Sequence, residues 1–386
     1  MQGKQPNEHR GSRGRLVALA LLLAGWGHPM AAAEMTPFRV GISEPVNTVL
    51  ALWMAEAGGF YAAQGLRVEI INQNGGSRGA QELQSGRIDA MHVGLSSVVK
   101  LNQEGGDLRT IASLSNVIRF TFFAAPGVKT AADLKGGVVG VSAFGSESDS
   151  TVTLALARLG MRRDDVILKE YGGGMRRLEA LKSGEIKGTA INEPIASLAH
   201  EAGLTAMVDL VAEKIPWLFS SIVVKTDYLQ SHRDVLTRFL KASIEGNYLA
   251  LTDEKRAKEV LAREARITEA KIIDTSYNDF KQQSPLNLEP SRPGAQNIID
   301  QFPALKNRKV DDYVDAGILD SLRKDGFFAE MERKYAGASA CRVGKGAGHG
   351  VNCCDYRRGA FAHAVEQRGR SAWARFALPT LRQVTT

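Results

Sequence analysis

Four acids stand where short extended runs give way to helical ones: Glu44, Glu147, Asp149 and Glu193. Around them lie small hydroxyl and amide side chains, Asn47, Thr48, Ser77, Ser96, Ser97, Ser146 and Asn192. Two glycine pairs, Gly75-Gly76 and Gly173-Gly174, each precede a helical pattern. These types suit hydrogen-bonded recognition of a small molecule. Carboxylates accept, hydroxyls do both, and a glycine at a helix start leaves backbone N–H groups open to an acceptor. Uncompensated carboxylates repel an oxyanion, so the set favours a ligand with an amine, amidine or heterocyclic N–H. Each feature has a plainer use. The acids could face solvent, the glycines could supply positive φ in turns, and Ser146, Ser148, Ser150 and Thr151 could be helix caps. Phe144, Trp217 and Phe219 offer faces for stacking a ring, or core and hinge packing. Arg78 and Arg176, just inside the helices after the glycines, read more simply as solvated.

Groups for covalent or metal chemistry are sparse. No G-x-x-x-x-G-K-[ST] phosphate loop is present. Cys341, Cys353 and Cys354 all lie near the C-terminus, and their spacing does not match paired zinc ligands. Between Glu34 and Ala336 the histidines are His92, His200 and His232. Only His232 has triad-type neighbours, Ser231 and Asp234, and these read as a helix start. No metal and no cofactor is expected.

The ends of the chain differ from its body. Lys4, Arg10, Arg13 and Arg15 precede an apolar run over residues 16–24 and then Ala31-Ala32-Ala33. That order predicts a secretory signal peptide over residues 1–33, its apolar run too short to span a membrane. Residues 337–386, rich in Arg, Gly and Ala without helical periodicity, read as a disordered basic tail or a displaced reading-frame end. The net charge is +7. The first 33 residues hold four Lys/Arg against one acid and the last 50 hold eight against two, which leaves the body at −2. A nucleic-acid surface needs its positive charge on the folded domain, so that class is excluded. No later segment is long and apolar enough for insertion in a membrane.

The elements that must position the polar set alternate short β-branched runs with helices, which predicts parallel sheets wrapped by helices. Residues 38–42, 66–71 and 88–93 read as strands, with helices over 48–57 and 78–84. The unit then recurs. Residues 73–93 align without gaps to residues 171–191 at a constant offset of 98. Gly75 matches Gly173, Gly76 matches Gly174, and Arg78 matches Arg176. Leu83, Ser85, Gly86 and Ile88 match Leu181, Ser183, Gly184 and Ile186. Two copies of one α/β unit imply two similar lobes. Extended runs at residues 120–124 and 215–225 bracket the second copy, and a hinge is expected at residues 122–124 and 217–220. Residues 227–335 read as mainly helical.

The segments "GISEPVNTVLALWMAEAGGFYAAQGLRVEI", "LQSGRIDAMHVGLSS", "AADLKGGVVGVSAFGS" and "LKSGEIKGTAINEP" resemble the periplasmic substrate-binding proteins of nitrate, sulfonate and taurine ABC importers. That superfamily also contains binders of thiamine pyrimidine precursors. The resemblance spans residues 38–335 and implies an α/β, type II periplasmic-binding fold, two lobes joined by a two-segment hinge. The expected organisation is a first lobe over 34–123, a second over 124–218, and a return to the first over 219–336 with C-terminal helices. The implied activity is capture of a small-molecule ligand by a periplasmic monomer and its delivery to an ABC permease and ATPase, with a periplasmic sensor as the alternative. The other alternative, a superfamily enzyme of pyrimidine or thiamine precursor synthesis, would require a histidine and a cysteine-rich loop; the body has no cysteine, and no enzyme activity is expected. Ligands of open α/β sheets sit beyond the carboxyl ends of the strands. That rule and the resemblance both select Glu44, Asn47, Thr48, Gly76, Ser77, Ser96 and Ser97 in one lobe. In the other they select Phe144, Ser146, Gly173, Gly174, Asn192 and Glu193.

Overall fold

The computed structural model describes residues 34–336 apart from Lys306; the signal-peptide and tail expectations lie outside the described residues. Among the described residues ten strands form two five-stranded sheets. They are β1 (Thr36–Ile42), β2 (Leu66–Asn72), β3 (Ala90–Val93), β4 (Leu108–Val117), β5 (Thr121–Ala124), β6 (Val138–Val141), β7 (Ile167–Glu170), β8 (Gly188–Ile191), β9 (Thr205–Asp209) and β10 (Pro216–Lys225). The order in the first sheet is β2-β1-β3-β10-β4 and in the second β7-β6-β8-β5-β9. The two sheets therefore share one topology, each flanked by helices.

The expectation of parallel sheets needs one correction. β10 runs antiparallel to both β3 and β4, and β5 runs antiparallel to both β8 and β9. A chain that leaves one sheet for the other and later returns re-enters against the grain. β3, β5 and β8 are buried along their whole length, as their runs of apolar and small residues require when both faces are covered. Pro216 opens β10, at the first position of the strand, where its missing N–H is tolerated.

The 98-residue repeat is present element by element. Helix Gly76–Gln84 corresponds to Gly174–Lys182, β3 to β8, and the end of β2 to β7, all at that offset. Gly86 and Gly184 both take positive φ, 74° and 77°, directly after Ser85 and Ser183, whose hydroxyls cap their own helix carbonyls. The match reaches into the first strands. A side chain at Gly41 would meet Ile88, and one at Gly140 would meet Ile186, the repeat counterpart.

The passages between sheets are shorter than the sequence suggests. Val117 still pairs with Pro216 in the first sheet, and Thr121 already pairs with Asp209 in the second. Only residues 118–120 and 210–215 cross, and the Ile118 N–H donates to the Ile215 carbonyl at 3.1 Å. The expected hinge at 122–124 and 217–220 is therefore corrected: residues 122–124 pair within β5, and 217–220 lie inside β10, where Ser220 pairs with Ser115. The sheets exchange before residue 121 and again by residue 216, a few residues ahead of the boundaries expected at 123/124 and 218/219. Arg119 in the first passage is buried and ion-paired to Asp279 of helix Ala270–Gln283, which also accepts from Asn47 Nδ2 at 2.8 Å.

Apolar side chains gather in two clusters. One joins strands of the first sheet to the C-terminal helices through Phe38, Val40, Tyr61, Phe239 and Tyr248, with Tyr61 stacked on Phe239 at 5.4 Å. The other is continuous through both lobes, from Met91, Val93 and Val98 to Phe122, Val139 and Ile191. The lobes are thus bridged by packed side chains as well as by two strands of chain.

Candidate functional site

A cleft of about 560 Å³, counting the open space at its mouth, lies between the sheets where the strand ends and helix starts of both lobes converge. From the first lobe it is lined by Ser43, Glu44, Thr48, Gly76, His92 and Ser97, among others. The second lobe supplies Ser142, Ser146, Glu147, Ser148, Arg177 and Asn192. Phe120, in the first passage, and Phe219, on β10, meet edge to face at 4.9 Å and close one wall.

Two carboxylates reach across it in opposite directions. Glu44, in the loop after β1, accepts the backbone N–H of Gly174 at 2.6 Å, the start of a helix in the second lobe. Glu147, in the first turn of helix Glu147–Arg158 of the second lobe, accepts the N–H of Ser96 at 2.6 Å in helix Leu95–Gln103 of the first. Its other oxygen accepts Trp217 Nε1 at 2.6 Å. Burial pushes the Glu147 carboxyl up to about 7, with the indole and amide donors opposing that rise. Burial also raises Glu44, against the lowering influence of Arg177 and the Gly174 amide. Glycines clear the way for both acids. A Cβ on Gly94 would come 2.2 Å from Glu147 Oε1, and one on Gly174 would come 2.9 Å from Glu44 Oε2.

The cation of the site is Arg177, only 2% exposed. Its Nε donates to the Gly172 carbonyl at 3.1 Å and Nη1 to Thr189 Oγ1 at 3.2 Å and to the Ala190 carbonyl. The guanidinium lies 6.0 Å over the Phe120 ring. Hydroxyls supply the remaining polarity. Ser142, Ser146 and Ser148 lie within 2.8–3.0 Å of one another. Thr48 and Ser220 both contact His92 Nε2, and burial holds that imidazole down to about 4, neutral at pH 7. Ser97 Oγ is buried at the cleft wall without a hydrogen-bond partner among the described residues.

Of the residues singled out from sequence, Glu44, Thr48, Gly76, Ser97, Ser146 and Asn192 line the cleft. Ser96, Gly173 and Gly174 stand just behind it, against the two crossing carboxylates. Asn47 is turned away, its amide held by the Ser276 carbonyl and Asp279. Ser77 is half-buried beside Gly76 but outside the lining. Phe144 is 46% exposed and outside the lining. Glu193 turns back on its own helix, its carboxylate accepting from Ser197 Oγ at 2.7 Å. Asp149 pairs with Arg163 at 2.5 Å. Two of the four acids thus face the cleft. Trp217 serves by fixing Glu147, while Phe219 lines the wall. Arg78 and Arg176 are exposed, and Asp234 is engaged by Arg238, away from His232. Arg177 was not anticipated. Its signal was an arginine at an inward position of helix Gly174–Lys182, in step with buried Gly174, Leu178 and Leu181.

The NMT1/THI5-like family model matches residues 47–257, more than half of the chain and all of the cleft-lining loops from Thr48 to Ser220. The chain belongs to the NMT1/THI5-like family. Among curated relatives of this family member, the riboflavin-binding protein RibY of Chloroflexus aurantiacus is 28% identical over 213 residues, 52% of this chain and 59% of RibY. The chain thus matches less than two thirds of that relative's length. Solved structures share its fold. The periplasmic nitrate-binding protein NrtA from Synechocystis superposes with a TM-score of 0.64 at 17% identity, covering 78% of this chain and 91% of NrtA. The alkanesulfonate-binding protein SsuA from Xanthomonas axonopodis pv. citri, bound to MOPS, gives 0.62 at 17% identity, covering 73% and 99%. This NMT1/THI5-like chain has the periplasmic-binding-protein fold. Among the described residues no helix is long and apolar enough to cross a membrane.

Proposed function

We propose that the protein is the solute-binding component of an ABC importer. It is secreted to the periplasm and works as a monomer that closes its lobes on a small molecule and presents it to a permease and its ATPase. The observation that carries this reading is a cleft whose polar lining comes from both lobes, at the strand ends, beside two short passages of chain. A ligand touching both walls favours the closed arrangement by its differential affinity for it. The contacts assigned to the ligand are Glu44, Thr48, Gly76, Ser97, Ser146, Glu147, Arg177 and Asn192. The wall of Phe120 and Phe219 suits a flat ring, the two carboxylates suit ring N–H groups, and the serines suit hydroxyl or carbonyl substituents. Riboflavin, bound by the relative RibY, combines these features and heads the solutes to be tested.

The test is a thermal-shift and calorimetric screen of riboflavin, pyrimidines, amines, nitrate and sulfonates against the protein. A bound solute at a hundred times its Kd adds about 2.7 kcal/mol to folding stability and raises Tm accordingly. At least one solute is expected to do this. No stabilisation by any of them would overturn the binding-protein reading.

A further inference from the structure

We propose that Glu44 and Glu147 together form a filter that keeps anionic solutes out of the cleft. The inference rests on the solute-binding reading and adds which solutes are refused. Backbone N–H groups at helix starts are ready-made seats for an anion. In this protein two such starts are already occupied by the chain's own carboxylates, each sent from the facing lobe. Glu44 Oε1 lies 2.6 Å from the Gly174 amide, and Glu147 Oε1 lies 2.6 Å from the Ser96 amide.

Both seats are built for an acid rather than filled by accident. Gly94 and Gly174 leave no side chain where the carboxylates lie, since a Cβ would come within 2.2 Å and 2.9 Å of their oxygens. Trp217 holds the second oxygen of Glu147 from beneath, itself fully buried. Arg177, the cation lining the cleft, is turned toward the Gly172 and Ala190 carbonyls and Thr189. An incoming nitrate or sulfonate thus finds these two helix starts already taken by acidic side chains. A solute that brings N–H donors finds acceptors there, and buried Ser97 Oγ at the same wall is free to bond it.

Calorimetry on the full protein, using nitrate, methanesulfonate and riboflavin as probes, tests the filter. Wild type is expected to show no heat with nitrate or methanesulfonate at 1 mM. Glu44→Ala combined with Glu147→Ala is expected to bind at least one of them, a gain of tenfold or more in affinity. The single variants Glu44→Gln and Glu147→Gln keep the packing, guard against a double variant that fails to fold, and are expected to gain severalfold. Tight binding of either anion by wild type would overturn the filter while leaving the binding-protein reading intact. Folded variants that take up neither anion would also overturn it. Anion uptake by the variants with no riboflavin or other solute bound by wild type would support the filter and count against the importer reading.

Discussion

The helix starting at Gly76 and the one starting at Gly174 have the same length, the same place after a strand and the same closing Ser-Gly, yet they bury different things. At the fourth position the first has Gly79 and the second Arg177. Opposite, on the matching strands, stand Met91 and Thr189. Gly79 makes room for the Met91 side chain, whose Cε would lie 2.0 Å from an added Cβ. Arg177 instead sends its guanidinium to Thr189 Oγ1. One copy thus spends its inner face on packing and the other on bringing a charge to the cleft. A duplicated unit can keep its backbone and divide these tasks by exchanging a facing pair of side chains.

Breaking the charged copy should have the largest effect. Arg177→Met strips the Gly172 and Ala190 carbonyls and Thr189 Oγ1 of their buried charged donor and is expected to cost about 3 kcal/mol or more in urea unfolding. Rebuilding the packed version sharpens the point. Thr189→Met added to Arg177→Gly should recover at least about 1 kcal/mol relative to Arg177→Gly alone, a coupling expected of residues in contact. No recovery would show that the two copies are not interchangeable at this pair.

The crossing carboxylates predict a pH dependence. Glu147 has a folded pKa of about 7, above its ordinary 4.5. The folded chain then keeps a proton that the unfolded chain releases between those values. Its contribution to stability is full below pH 4.5 and is lost as pH rises through 7. The loss is on the order of 3 kcal/mol. Measured against Glu147→Gln, wild type should weaken by that amount between pH 4.5 and 8. A constant difference between the two proteins would show that burial does not strain this carboxylate. Glu44, raised in the same direction, should show the same sign against Glu44→Gln.

Smaller effects test the packed copy and the surface. Gly79→Ala gains helix propensity but pushes the flexible end of Met91, for a net cost of about 1 kcal/mol or less. Arg78→Ala and Arg176→Ala, the exposed pair at the repeat offset, should change stability by less than about 0.5 kcal/mol and leave solute affinity unaltered.

The fold was legible because the repeat preserves residue types that backbone geometry demands. Gly86 and Gly184 occupy positive φ, and Gly41 and Gly140 clear space for Ile88 and Ile186. The site was legible to the level of its loops. Which side chains on those loops turn inward was not, because that depends on what faces them. Glu147 and Asp149 lie two residues apart on one helix start; one finds Ser96 and Trp217 across the cleft, the other finds Arg163 on its own lobe. The hinge was misplaced for a related reason. An apolar extended run reads the same whether it crosses between lobes or zips into a sheet, and only the pairing of Val117 with Pro216 and Thr121 with Asp209 separates the two.

That pairing also makes the second lobe a modular insert. Residues 121 and 209 are opposed partners on neighbouring antiparallel strands, so the segment begins and ends at one place, with Cα atoms roughly 5 Å apart. It is a single uninterrupted length of chain, whereas the first lobe is assembled from two separated pieces. A gene segment encoding the second lobe could be exchanged between relatives at one pair of cut sites, replacing half of a binding surface in one recombination step. Arg177 and Glu147 would travel with it and Glu44 would stay behind, so such an exchange can re-pair one half of the cleft with a new opposite wall.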